Sequence, residues 1–87
     1  MNRKEHLRCA LLLQLEAAYP LTLPFSTLWQ GLALAGYSIS SDHLLKEIEY
    51  LHEKKFLQVI SRDICPQNKR YKLNPKGKDY LEAVHLI

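Results

Sequence analysis

"GYSISSDHLLKEIEYLHEKKFL", residues 36–57, decides the fold. Leu44, Ile48 and Leu51 fall at i, i+4 and i+7, the spacing of a narrow apolar stripe on one side of an α-helix. The hydroxyl of Ser40 can accept from the orphan N–H groups of a first turn, so a helix is expected from about Ser41 to Lys54, its stripe toward the core. Gly36 suits the left-handed residue that ends a preceding helix, which leaves only a short turn between the two. The charges are less simple. With successive side chains about 100° apart, the face opposite the stripe is centred on Asp42, Lys46, Glu49 and Glu53, three acids against one base. From Ser41 to Leu57, Lys46, Lys54 and Lys55 stand against Asp42, Glu47, Glu49 and Glu53, a net of −1 that a polyanion would disfavour.

Upstream, "PFSTLWQGLALAG" places Phe25, Leu28, Trp29, Leu32 and Ala35 at helical spacing, and Pro24 suits a first helical turn because its missing N–H has no partner there. So apolar a helix is expected to be largely buried, with Phe25 and Trp29 in the core rather than offered to bases as a stacking platform. "LTL", residues 21–23, is too short to stand alone and needs a partner strand. Before it, Leu7, Leu11, Leu15 and Ala18 line one face of a helix from about Asn2 to Ala18, which Tyr19-Pro20 stops because the residue before proline is pushed out of the α region.

Downstream the period changes from 3.6 to 2. Leu57, Val59 and Ser61 alternate with Gln58, Ile60 and Arg62, and Tyr71 and Leu73 alternate with Arg70 and Lys72. "DICPQN" between them holds the turn formers Asp, Pro and Asn, so a β-hairpin with a loop of about six residues is expected. Asn74 can cap a last helix opened by Pro75 and continued through Tyr80, Leu81 and Val84. The order is α-(β)-α-α-β-β-α.

Eighty-seven residues, 47% of them hydrophobic, make one domain with one small core. The net charge of +3 permits a polyanionic partner without requiring one. The basic, leucine-rich start imitates a signal peptide, but Gln14 and Glu16 interrupt the apolar run and no small-residue cleavage site follows, so a mature cytoplasmic chain is expected. No apolar stretch approaches the roughly 20 residues that span a bilayer. Cys9 and Cys65 belong to no C-x-x-C pair, and His6 with Cys9 at i, i+3 is half a metal site with nothing spaced to complete it, so no metal and no cofactor is expected. With no nucleophile and base in pattern, no clustered carboxylates and no glycine-rich phosphate loop, the sequence does not read as an enzyme.

This order, and the residues that carry it, resemble the winged helix-turn-helix domains of bacterial and phage transcription regulators, the PadR-like and MarR-like groups in particular. Gly36, Tyr37, Ile39, Ser40 and Leu44 match the pattern G-Y-x-hydrophobic-S-x-x-x-hydrophobic, which Ile48, Leu51, Phe56 and Leu57 continue. "RYKLNPKGKDYLEAV" is similar to the ending Y-x-L-T-x-x-G, with Tyr71, Leu73 and Gly77 in place and Asn74 instead of threonine. The resemblance covers nearly the whole chain. It implies an α+β fold with a three-helix core, a β-hairpin wing and a C-terminal helix in a single domain, residues 1–87. One departure is Lys55, where the family usually has glycine after the third helix. Either this lysine adopts the left-handed conformation at a cost of about 1 kcal/mol, or the turn differs.

The resemblance further implies a DNA-binding regulator, working as a dimer, whose third helix enters the major groove. Only the first turns of such a helix reach base edges, so Ser41, His43, Leu45 and Lys46 are the candidate readers, with Asp42 able to pair with Lys46 or accept from a cytosine amino group. The wing gathers cations, and Arg62, Lys69, Arg70 and Lys72 are the candidate contacts to phosphates or the minor groove, backed by Arg3, Lys4 and Arg8. Two other readings stand beside this one. Lysine-rich hairpins also protect strand edges from pairing with other chains. The acidic face of the third helix would suit a basic protein partner, which makes the same fold a protein-interaction module. Tyr50, off the stripe, is a candidate contact or plain surface residue, as are His43 and His52. "YLEAVHLI" closes the core or forms a two-fold interface.

Overall fold

A computed structural model describes residues 2–60 and 69–87. The side-chain oxygen of Asn2 accepts from the backbone N–H of Glu5 at 2.8 Å and starts helix α1, Arg3–Ala18. Leu7, Leu11 and Leu15 are buried on it as the spacing requires, and Leu12 and Cys9 are buried beside them. This broad apolar face lets α1 pack at once on α2 (Phe25–Leu34), on α4 (Pro75–Ala83) and on the sheet. The remaining elements are α3, Ser41–Glu53, and strands β1 (Leu23–Pro24), β2 (Leu57–Ile60) and β3 (Arg70–Leu73).

The sheet is antiparallel, in the order β1-β3-β2. Leu57 opposes Leu73 and Val59 opposes Tyr71, so the inward residues of the hairpin meet each other as their period-2 alternation demands. The expected "LTL" strand is found one step further on: Leu23 pairs with Tyr71 and Pro24 with Arg70. Pro24 accordingly caps α2 from an extended conformation instead of entering its first turn. An edge position tolerates it, since its missing N–H breaks no ladder. The expected loop and Arg62 lie outside the described residues.

The expectation of a largely buried second helix is corrected. Only Leu28 and Leu32, one turn apart, are fully buried, with Phe25 partly buried against the core; Leu34 is exposed, and Trp29 is 40% exposed. A ten-residue helix that touches its neighbours along one line buries one row of side chains. Trp29 instead lays its indole along the surface, its ring N–H donating to the carbonyl of Ile39 at 2.9 Å, and Phe25 tilts against it with ring centres 6.1 Å apart. The pair braces the turn between α2 and α3. Gly36 ends that helix in the left-handed region, at φ 96°.

Lys55 does adopt the left-handed conformation, at φ 64°, and turns the chain from α3 into β2. Two residues hold that turn. Asn74 occupies the cap position of α4 but makes no capping bond, so that expectation is corrected too: its amide donates to the carbonyls of Lys55 and Leu57, both at 3.2 Å. Those carbonyls flank the corner where α3 gives way to β2, so the amide ties that corner to the start of α4 instead of capping the helix. Gly77 brings α4 so close that an added Cβ would collide with the carbonyl oxygen of Phe56.

Candidate nucleic-acid interface

Ser40 caps α3 as expected, its hydroxyl accepting from the N–H of His43 at 3.1 Å. Leu44, Ile48 and Leu51 are buried and fix the helix's rotation. Asp42, His43, Leu45, Lys46, Glu49 and Glu53 are thereby turned to solvent, while Ser41 is half-buried.

Glu47 behaves differently from the other acids. It is 5% exposed, and one carboxylate oxygen accepts from Nε of Arg8 at 2.6 Å. The same guanidinium lies 3.7 Å from the centre of the Tyr50 ring, a cation–π contact that places Tyr50 against α1. Arg8 is therefore half-buried with its guanidinium engaged by Glu47 and Tyr50, whereas Arg3 and Lys4 are exposed. Glu47 stands three positions after Leu44, at the margin of the apolar stripe, a hint that it is not on the outer face. Its partner is 39 residues away and had no signal in the sequence. With Glu47 neutralised, the exposed charges from Ser41 to Leu57 are Lys46, Lys54 and Lys55 against Asp42, Glu49 and Glu53, and the excess of acid is gone.

The two flanks of α3 carry different groups. On the α1 side His43, its Nε2 3.7 Å from the second oxygen of Glu47, shares a cavity of about 290 Å³ with Arg3 and Lys4. On the wing side Ser41, Leu45 and Lys69 meet around a cavity of about 330 Å³ walled by Phe25 and Tyr71. Burial pushes the Tyr71 hydroxyl above the ordinary tyrosine range. Cations thus border the first turns of α3 from both sides.

The wing residues do not form one row. Lys69 faces α3, but Arg70 donates through Nε to Thr22 Oγ1 at 2.7 Å and through Nη2 to the Thr22 carbonyl at 3.1 Å, tying β3 to the chain before β1. Lys72 lies with its Nζ 5.5 Å from the centre of the Tyr19 ring. Alternation along β3 puts Arg70 and Lys72 on the face opposite Tyr71 and Leu73. Among the described residues no three His, Cys, Asp or Glu side chains come together to hold a metal; Cys9 is buried with its Sγ 3.9 Å from the Tyr80 hydroxyl. No helix among them is long and apolar enough to cross a membrane. At the end of the chain Leu81 closes the core, while Leu86 and Ile87 are exposed.

Three helices, a β-hairpin whose central strand also takes a short third strand, and a C-terminal helix define a winged helix-turn-helix fold. The same arrangement is found in the solved structure of a PadR-like transcription factor from Bacteroides fragilis, with a TM-score of 0.74 over 97% of this chain and 81% of that one. The two are 23% identical in sequence, so the likeness is one of fold. No protein-family model and no curated protein matches the sequence.

Proposed function

We propose that this chain is a DNA-binding transcription regulator that lays the first turns of α3 in a major groove and its basic hairpin on the phosphate backbone. The observation that carries this reading is the burial of Glu47 against Arg8, which removes the excess of acid from α3. What remains exposed is a charge-balanced helix bordered by Arg3 and Lys4 on one side and Lys69 on the other, where the two strands of a duplex would pass. Ser41, His43, Leu45 and Lys46 would meet base edges. The PadR-like transcription factor that shares the fold supports the same assignment. Exposed Leu86 and Ile87 favour a second copy of the chain as a dimer partner, which would present two α3 helices to successive turns of one face of the duplex.

Fluorescence anisotropy with random duplex DNA at two salt concentrations tests the reading. Binding is expected to weaken steeply with salt, and Lys69→Ala to lower the slope of log K against log salt by about 1. Binding that is absent at low salt overturns it. The exposure of Asp42, Glu49 and Glu53 favours a second reading, in which the same face docks a basic protein. Glu49→Lys with Glu53→Lys separates the two: it strengthens a DNA complex and abolishes a protein complex made through this face.

A further inference from the structure

Leu45 is 42% exposed on the helix proposed to read bases, and on its wing side it faces Pro24, Phe25 and Tyr71. It stands between two hollows that share Leu45, Lys69 and Tyr71. The first, of about 330 Å³, adds Pro24 and Phe25 to the wall and is the apolar one; the second, of about 140 Å³, adds Val59 but also Glu49 and His52. The result is an apolar side chain at the mouth of a mainly apolar hollow between α3 and β3, with Lys69 as the cation beside it.

A side chain with no polar atom cannot hydrogen-bond a base edge. Of the groups that duplex DNA presents in its major groove, the one apolar group is the methyl at C5 of thymine, or of a methylated cytosine. Ser41 stands one helical turn before Leu45 and lines the first hollow with it. Its hydroxyl can donate to O4, the acceptor next to the methyl on the same thymine edge. Lys69, at the junction of the two hollows, supplies the positive charge that a flanking phosphate needs.

We infer that the cleft between α3 and the wing receives the C5-methyl group of a pyrimidine in duplex DNA, with Leu45 as the residue that distinguishes a methylated base from an unmethylated one and Ser41 as its polar partner. The inference rests on the DNA-binding reading above, and names the base chemistry that this site selects.

The test begins with selection of preferred sites from a random duplex library by the full chain. Each thymine of a selected site is then replaced in turn by uracil, which removes the methyl and leaves the hydrogen-bonding edge unchanged. At the contacted position the wild-type protein should lose about fourfold in affinity, the worth of one buried methyl-sized group. The Leu45→Ala variant should bind thymine and uracil there equally, while keeping its fold by circular dichroism, because the side chain lies outside the buried core. Ser41→Ala should keep the thymine-to-uracil difference but narrow the gap between thymine and cytosine. Cytosine against 5-methylcytosine at the same position separates the two sources of the methyl. A selected site at which every thymine-to-uracil change stays within experimental error, or a difference that survives in Leu45→Ala, overturns the inference while leaving DNA binding intact. Failure to bind any duplex at low salt removes the DNA-binding reading itself, and the inference with it.

Discussion

From Ser41 to Lys46, α3 turns Asp42, His43, Leu45 and Lys46 outward and reaches the core through Leu44 alone. From Glu47 to Leu57 the chain is tied down from several directions. Arg8 pairs with Glu47 and covers Tyr50, the amide of Asn74 holds the carbonyls of Lys55 and Leu57, and Gly77 lets α4 close on the carbonyl of Phe56. Phe56 and Tyr80 stack with centres 5.0 Å apart beneath that corner. One end of the helix is thus anchored and the other presented. A reading surface needs its side chains held within a fraction of an ångström, and anchoring the far half of the same rigid element achieves this without burying the near half. Substitutions at the anchored end should therefore cost stability, and those at the presented end should change recognition.

The largest loss is expected at Arg8. Arg8→Ala leaves the carboxylate of Glu47 buried without its cation and should cost about 3 kcal/mol in urea denaturation, the lower end of the range for such pairs because Arg8 retains some contact with water. Replacing both partners by apolar residues, Arg8→Met with Glu47→Leu, should recover most of that loss. If the single variant is neutral, the anchor is not electrostatic and the contrast between the two ends rests on packing alone. Next in size is Gly77→Ala. The new methyl meets the Phe56 carbonyl and Leu73, so α4 must shift, and the expected cost is about 2 kcal/mol despite alanine's better helix propensity. A melting temperature unchanged by this substitution would mean that the close approach of α4 is not what holds the corner.

Those anchors also mark where the sequence stops being readable. The period of Leu44, Ile48 and Leu51 and the alternation of Leu57, Val59, Tyr71 and Leu73 are local patterns, and they correctly placed α3 and the pairing of β2 with β3. The Ser40 cap is likewise written in adjacent residues. The ion pair of Arg8 with Glu47 is a property of the packed fold, joining residues of α1 and α3 that have nothing near them in sequence to announce it. Asn74 shows the same limit in reverse: its place before Pro75 suggested a cap, and the fold gave its amide two carbonyls from elsewhere. For Trp29, helical spacing among apolar neighbours could not reveal that a ten-residue helix has room to bury only one row. In the candidate site, Ser41, Leu45 and Lys69 were each legible as recognition-helix or wing residues by resemblance, while their meeting around one cleft depends on how the hairpin lies against α3.

A smaller effect, of opposite sign, is expected at Lys55. A lysine at φ 64° carries a left-handed penalty that glycine does not, so Lys55→Gly should raise stability by about 1 kcal/mol, less whatever the more flexible unfolded chain gives back. Lys55 makes its turn at the anchored end, and its loss should leave sequence preference unchanged. A gain in stability accompanied by altered base preference would show that the two ends are mechanically coupled.

The smallest effect on stability is expected at Lys46, which is exposed on the presented half and forms no ion pair among the described residues. Lys46→Ala should change the unfolding free energy measured in urea by no more than the roughly 0.5 kcal/mol typical of surface positions. Recognition should respond in a way that a phosphate contact would not. A lysine that donates to the O6 and N7 acceptors of a guanine distinguishes that base by about 1–3 kcal/mol, so its removal should flatten preference at one position and leave the others. Uniform weakening across all sequences, with a shallower salt dependence and no change in preference, would instead make Lys46 a phosphate contact. The contrast would then be sharper than proposed: base reading would fall to Ser41, Leu45 and the α1-side His43, and the centre of the exposed face would serve only to position the helix.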